Sequence, residues 1–565
     1  MRVLLLVSAF NGLSQRTWCA LRAAGHHVDV ELAVDEATMF GAANLAQPDL
    51  ILCPYLKDRV PAAVWSRWTT IIIHPGPVGD RGPSSLDWAI TDAAPTWGVT
   101  ALQAVDEMDA GPVWATRTFP MPSEPTRKST LYNGVVADAA LECIGEVLDK
   151  AGDPLFTPTP LAVAPRAVPG TTLRPLMRQH DRTIDWRQPA ADIVRRIHAA
   201  DGSPGVRTDL AGHTVQLFDA SVAARPVAGH PGQIIAHDDD AVLIAAGGGT
   251  GVWIGHAKWV DASGTPGIKL PAADVLHDAL RGVPRQPGPA RITYRRHGSH
   301  IGEVAFDIYN GAMNVPWSRR LATALRRALA QDTRVLIISG GLDAFCHGID
   351  LNAIHASDDP AAAAWASIRA INAVCRVITA DTSHTIIAAI TGPAGAGGVM
   401  LPLGADVVVA RSGVTLNAHY DIGLAGSELH TVTLPARVGI GAARRLLTEH
   451  LPVDADQAAA LGLVDAVGPR DPHQFHAWLL ELADQHTKRR PGSGGTAAHG
   501  IAGPAGDPAA RPLAYWETGE LARMALDIFD DRQGFAARRD AFVNKRRADR
   551  TPAWLATHRL DRPHR

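Results

Sequence analysis

The first hundred residues are punctuated by short apolar runs at 2–7, 49–53 and 70–73, separated by stretches of helical composition at 15–24 and 62–68. Strands that return to one sheet in parallel need a crossover between them, so this βαβ rhythm predicts a parallel sheet with helices on both faces. Ligands of such sheets bind outside the carboxyl ends of the strands. That directs attention to the two loops that follow Val7 and Ile73, which read SAFNGLSQR and HPGPVGDRGPSS.

This sheet accounts for only part of the chain. At 565 residues the length is well beyond the roughly 250 to 300 at which a single core stops growing, and the composition changes twice. Around 161–175 it turns Pro- and Ala-rich, as a connector does. A short helix at 191–198, with Ile193 and Ile197 inward, then leads into strand-like pieces at 215–218, 233–236, 241–246 and 251–254. Gly and Asp punctuate these, as in a small β-barrel, and Gly247 to Gly251 lacks the following helix and Lys of a phosphate loop, so it reads as a turn. A second α/β region opens at Ile292, with strands at 335–339, 385–390 and 407–410 and a helical end at 516–547. The expected organisation is an α/β multidomain protein: a Rossmann-like domain at 1–165, a small OB-like β-barrel at 166–290, and a third domain with C-terminal helices at 291–565. A Gly-, Ala- and Pro-rich insertion is expected at about 490–512.

Charge and cysteine usage narrow the class. A net charge of -3 with no basic run in 166–285 argues against nucleic acid or an anionic membrane as partner. The five cysteines are scattered without a CxxC pair or an attendant His cluster, so neither zinc nor a disulfide framework is expected, and a reducing cytoplasm fits. The opening apolar run is too short for a signal sequence or a membrane span.

Two stretches carry chemistry. His74 ends an apolar strand and is followed by Pro75 and Gly76, while Asp106-Glu107-Met108-Asp109 forms an acidic turn after the strand beginning at Trp97. A carboxylate beside an imidazole stabilises its protonated form and makes it an acid–base group near neutral pH. A strand-end His and a turn-capping Asp would leave the same pattern. The segments IIIHPGPVGDRGP, WGVTALQAVDEMDAGPV and RTIDWRQPAADIVRRIHAADGSPG resemble the formyltransferases that use 10-formyltetrahydrofolate, over roughly residues 1 to 285. The resemblance implies that His74 and Asp109 are catalytic, and that Gln15, Arg16, Gly76 and Asp106 shape the folate pocket. One position departs from the family: its catalytic Asn, two residues before the His, is Ile72 here.

Farther on, Gly340 to Leu351 and Gly392 to Met400 are Gly-rich turns that follow buried strands. Such turns converge N–H groups on one oxygen, as an oxyanion hole requires, although ordinary turns share the composition. FCHGIDL, GPAGAGGVMLPLGADVVVA, GLAGSELHTVTLPARVG and FAARRDAFVNKR together resemble the crotonase (enoyl-CoA hydratase/isomerase) family. That implies a coenzyme A thioester, with the N–H groups of Ile349 and Gly397 as oxyanion donors and His347, Gly348 and Gly398 lining the site. The positions of the two hydratase glutamates are Met400 and Tyr420, neither of which is a carboxylate base. Glu428 is the expected replacement acid or base, beside Tyr420.

A formyltransferase half followed by a crotonase half is similar to the hydrogenase maturation factors of the HypX (HoxX) type. The resemblance implies transfer of the formyl group of 10-formyltetrahydrofolate to coenzyme A and breakdown of formyl-CoA to carbon monoxide for the iron of a [NiFe]-hydrogenase. It also implies hydrogenase maturation proteins or the hydrogenase large subunit as partners. Hydrolysis to formate and a non-catalytic scaffold are the alternatives.

Overall fold

The computed structural model describes residues 1–380, 383–419, 422–488 and 511–560. Nearly all of the expected insertion, at 490–510, lies outside the described residues. The chain divides into two compact units, Met1–Pro289 with Ala548–Arg565, and Ala290–Arg547.

In the first unit, strands β1 (Arg2–Val7), β2 (His27–Leu32), β3 (Leu50–Cys53), β4 (Thr70–His74), β5 (Thr96–Gln103) and β6 (Val113–Pro120) form one sheet in the order β2-β1-β3-β4-β5-β6. The first four strands are parallel, as the βαβ rhythm predicts, but β5 runs antiparallel to β4, and β6 antiparallel to β5. An apolar run carries no mark of direction; after the loop and the helix Ser85–Thr91 the chain re-enters the sheet reversed, which sets Thr100 opposite His74. Leu4, Leu6, Ile51 and Cys53 pack beneath Met39, Ala42 and Ala43 of the helix Glu36–Ala46. A second sheet follows in the same unit: β7 (Val206–Leu210), β8 (His213–Val222), β9 (Ile234–His237), β10 (Val242–Ala245), β11 (Gly251–Trp259) and β12 (Leu270–Pro271), all antiparallel. Ile193, Val194 and Ile197 of the helix Ala190–Ala199 fill its core.

The last described residues return to the first sheet instead of staying with the third region. Strand β2 is an edge, and 551–559 covers it. Leu555 O accepts from Val30 N, and Thr551 Oγ1 accepts from Leu32 N. Glu31, wholly buried, accepts from Thr551 Oγ1 and Arg559 Nε and sits 2.9 Å from His558 Nε2, while Thr557 Oγ1 donates to Asp29. Burying that carboxylate is tolerable only because three side chains satisfy it.

The second unit is built on β13 (Ile292–His297), β14 (Ile301–Phe306), β15 (Val335–Ser339), β16 (Thr385–Ile390), β18 (Val407–Arg411) and β21 (Ala466–Gly468), with only the β13–β14 pair antiparallel. A small sheet of β17 (Ala394–Gly395), β19 (Thr415–Asn417) and β20 (Val453–Asp454) lies beside it. Among the described residues one helix, Pro360–Ala380, is long and apolar enough to cross a membrane. Its Ile371, Val374, Cys375 and Ile378 lie in the main core of this unit, which accounts for the apolar composition.

Candidate active sites

Strand β4 delivers His74 to its carboxyl end, where the ring is 4% exposed. Pro75 and Gly76 then turn the chain so that Asp80 swings back onto the ring, with Oδ2 2.9 Å from Nε2. On the other side Asp109 Oδ2 is 3.6 Å from Nδ1. Gly76 is required by this closeness: a Cβ there would stand 2.6 Å from His74 Nε2 and 2.7 Å from Ser85 Oγ, and would collide with the Asp80 carboxylate. The peptide groups around the turn are fixed as well. Ser85 Oγ and Trp97 Nε1 donate to Pro75 O, and Thr100 Oγ1 donates to Gly76 O. From outside, the connector braces the loop through Thr171 Oγ1 to Val78 O, Arg174 N to Arg81 O and Met177 N to Ser84 Oγ.

Burial alone would lower the pKa of His74. The hydrogen bond to Asp80 and the negative fields of Asp109 and Asp80 outweigh it, and the net shift is upward. The result is an imidazole held between two carboxylates, poised to carry a proton at neutral pH. Asp80 was not singled out in the sequence. It stands within the HPGPVGDRGPSS loop, but nothing in the spacing announces that a residue six positions on folds back onto the ring.

The acidic turn divides its three carboxylates. Asp109 adopts φ +54 and accepts from Gly82 N, which directs it inward. Glu107 pairs with Arg81 and Asp106 with Arg59. Asp106 is 84% exposed along its side chain and stands apart from the His74 cluster. Arg16 is buried, bound to Asp138 at 2.5 Å and to Asn133 O, so it ties the helix Gly12–Ala23 to the first turn of the helix Ala137–Ala151 and to the chain just ahead of it. Its neighbour Gln15 donates to Phe10 O. Ile72 packs against the apolar cluster that contains Cys53 and Val64 and supplies no polar group.

In the second unit the two Gly-rich turns come together at the ends of β15 and β16. Met313 N donates to Gly348 O and Asp350 N to Met313 O, a parallel bridge in which the intervening Ile349 N–H points away from Met313. Ala396, at φ +48 and ψ -127, introduces the short helix Gly397–Met400, whose first N–H groups have no carbonyl inside the helix. A Cβ on Gly348 would stand 3.6 Å from Gly397 N, and one on Gly398 would collide with Cys346 O. The glycines thus permit the approach of the two turns. His347 is exposed as a residue, yet its ring is crowded by Gly311 and Gly395, and desolvation by the surrounding protein lowers its pKa.

Glu428 lies against this pair of turns. Its carboxylate is packed so closely on Gly397 that a Cβ there would be 2.7 Å from Cδ, although Glu428 is only 3% exposed. Two consecutive left-handed residues, Glu428 at φ +63 and Leu429 at φ +59, aim it there. Such a conformation is costly without glycine and persists only when its surroundings fix it. They do. Asn372 Oδ1 accepts from Glu428 N and Ser427 Oγ, and the wholly buried Glu520 accepts from Leu429 N, Thr431 N and Thr431 Oγ1. Glu520 therefore caps the helix His430–Thr448 from a distant helix, Leu513–Phe529, a role the sequence did not signal. Met400, 1% exposed, belongs to the core. Tyr420 lies outside the described residues. Burial and the field of Glu428 push the Cys346 thiol up to about 12, and Cys375 is raised as well, so neither thiol supplies a thiolate at neutral pH.

Both halves have known relatives. The enoyl-CoA hydratase/isomerase family model matches residues 308–494, and the formyl transferase C-terminal domain model matches 176–263. The hydrogenase maturation factor HoxX of Bradyrhizobium diazoefficiens is 38% identical over 100% of this chain and 98% of its own length. Crystal structures of HypX from Aquifex aeolicus are 35% identical. A variant of it superimposes with a TM-score of 0.92 over 99% of both chains, and its complex with tetrahydrofolic acid with 0.89 over 100% of both. The chain belongs to the HypX/HoxX family of hydrogenase maturation factors, joining a formyltransferase half to a crotonase-fold half.

Proposed function

We propose that the first unit moves the formyl group of 10-formyltetrahydrofolate to the thiol of coenzyme A, and that the second unit splits formyl-CoA into carbon monoxide and coenzyme A. The carbon monoxide would serve the active-site iron of a [NiFe]-hydrogenase, with other maturation proteins or the hydrogenase large subunit as recipient. The observation that carries the reading is the Glu428 carboxylate, buried against Gly397 where the Gly348 turn also approaches. A buried acid at that place is of no use to a scaffold and is costly to keep.

In the transfer step the bond between N10 and the formyl carbon breaks and a carbon–sulfur bond forms. His74, between Asp80 and Asp109, takes the thiol proton and returns it to the folate nitrogen; the carboxylates hold the imidazole oriented and stabilise its charged form. A thiol is a better nucleophile than an amine, which fits the replacement of the family's Asn by Ile72. Gln15, through its loop, and Gly76, through its clearance, shape the folate side. Arg16 serves by holding the first helix in place. The relative's complex with tetrahydrofolic acid supports folate as a ligand.

In the splitting step the formyl C–H proton leaves to Glu428, the carbon–sulfur bond breaks, carbon monoxide departs, and the thiolate regains a proton. Ile349 and Gly397 donate to the carbonyl oxygen as charge develops. Gly348 and Gly398 keep the two turns close, His347 lines the entrance, and Tyr420 is the proposed proton donor to sulfur. Five free, buried thiols suit a reducing cytoplasm.

The test is pure protein with 10-formyltetrahydrofolate, with and without coenzyme A, followed by haem-protein trapping of carbon monoxide and by formate assay. Coenzyme A-dependent carbon monoxide is expected. Formate alone would mean that Glu428 activates water instead, and binding of both substrates without turnover would mean a scaffold.

A further inference from the structure

The hairpin β13–β14 brings His297 and Glu303 to one edge of the second unit's sheet. The helix Pro472–Thr487 packs Phe475, Leu479 and Ala483 on the same sheet against Ile301, Val335 and Ile337. That packing places His476, next to Phe475, over the hairpin. Glu303 Oε2 lies 2.8 Å from His297 Nε2 and 3.2 Å from His476 Nε2, and these three atoms fall within 4.8 Å of one another. None of the three residues takes part in either site described above.

We propose that His297, Glu303 and His476 bind one divalent transition-metal ion, with zinc the best fit. Two imidazole nitrogens and one carboxylate oxygen suit zinc or cobalt rather than calcium or magnesium, which call for oxygen ligands. Around a tetrahedral zinc with metal–ligand distances near 2.1 Å, neighbouring ligand atoms stand about 3.4 Å apart. The two carboxylate–imidazole separations therefore need only a small opening. Glu303 is 3% exposed, and its second oxygen accepts from Ser339 Oγ at 2.8 Å, the kind of outer hydrogen bond that fixes a ligating carboxylate. The side chains of His297 and His476 are 24% and 41% exposed, which leaves a fourth position open to water. Burial opposes the charge on Glu303, but hydrogen bonds from His297, Ser339 and His476 hold its pKa below the ordinary value, so the ligand form is present at neutral pH. The bound ion would cross-link the edge hairpin to a helix more than 170 residues later.

Two imidazoles hydrogen-bonded to a carboxylate with no affinity for metal would show nearly the same distances, and metal titration separates the two. The full-length protein, stripped with chelator, is titrated with Co²⁺ and with Zn²⁺ by calorimetry, and the visible absorption of Co²⁺ is recorded. One saturable site with tetrahedral cobalt bands and a raised thermal midpoint is expected. His476→Ala, a change at a partly exposed helix position, should weaken binding by on the order of 100-fold or more, and Ser339→Ala by about 10-fold. If Glu303→Gln fails to fold, His476→Ala and His297→Ala decide the matter. No saturable binding, or binding of undiminished strength in His476→Ala, overturns the proposal.

Discussion

The two candidate sites bury an ionisable group of opposite kind and stabilise it in opposite ways. His74 is a potential cation held between the Asp80 and Asp109 carboxylates. Glu428 is a potential anion packed on a glycine, and its backbone is pinned by Asn372 and by Glu520. In the first site the protein tunes the titratable group through charge; in the second it fixes the carboxyl group through backbone conformation and leaves nearby thiols protonated. Electrostatic support tolerates small displacements, because Coulomb interactions fall slowly with distance. A left-handed turn does not. The first site should therefore fail gradually under substitution and the second abruptly.

The largest effect should come from Glu428→Gln, which keeps the shape and removes the base. Carbon monoxide release is expected to fall on the order of ten-thousand-fold while formyl transfer to coenzyme A persists, as chromatography of the thioester would show. Equal loss of both activities would erase the division between the sites. His74→Gln should reduce transfer by about a thousand-fold and leave the splitting of added formyl-CoA intact. Gly397→Ala drives a methyl group into the Glu428 carboxylate. Roughly a hundred-fold loss of carbon monoxide release should follow, with little change in transfer, since a displacement of about 1 Å carries that cost.

The smallest effect is the most diagnostic. Asp80→Asn should lower transfer only about ten-fold, because Asp109 remains, yet it should move the His74 titration, followed by NMR, back toward the unfolded value near 6.5. The folded pKa of His74 is raised. Its contribution to stability is therefore complete below about 6.5 and is lost as pH rises through the folded value. Denaturant unfolding across that window should show the slope in the parent protein and a shallower one in Asp80→Asn.

What the sequence revealed followed the range of each interaction. His74 and the glycines at 348, 397 and 398 were legible because a strand end and a tight turn are local. The acidic turn was legible only as a turn. Asp106, Glu107 and Asp109 look alike in a string of letters, and which of them faces His74 depends on the left-handed backbone at Asp109 and on Arg59 and Arg81, which claim the other two. Arg16 read as part of a folate pocket; its ion pair with Asp138, which buries it, is a product of packing. Glu520 gave no signal, since its partners lie 89 or more residues away; His297 and Glu303 are near neighbours on one hairpin, but His476, which completes the trio, is more than 170 residues from Glu303. The direction of β5 was equally silent.

The strap over β2 makes the beginning of the protein depend on its end. As the chain leaves the ribosome, the first sheet is synthesised early, yet Glu31 stays without its partners, and the edge of β2 stays bare, until Thr551 to Arg559 emerge. An open edge strand is a template for pairing with other chains. A polypeptide cut short anywhere before this strap carries an exposed, charged seam that marks it as unfinished, so the folded first unit is itself a record that the second has been made.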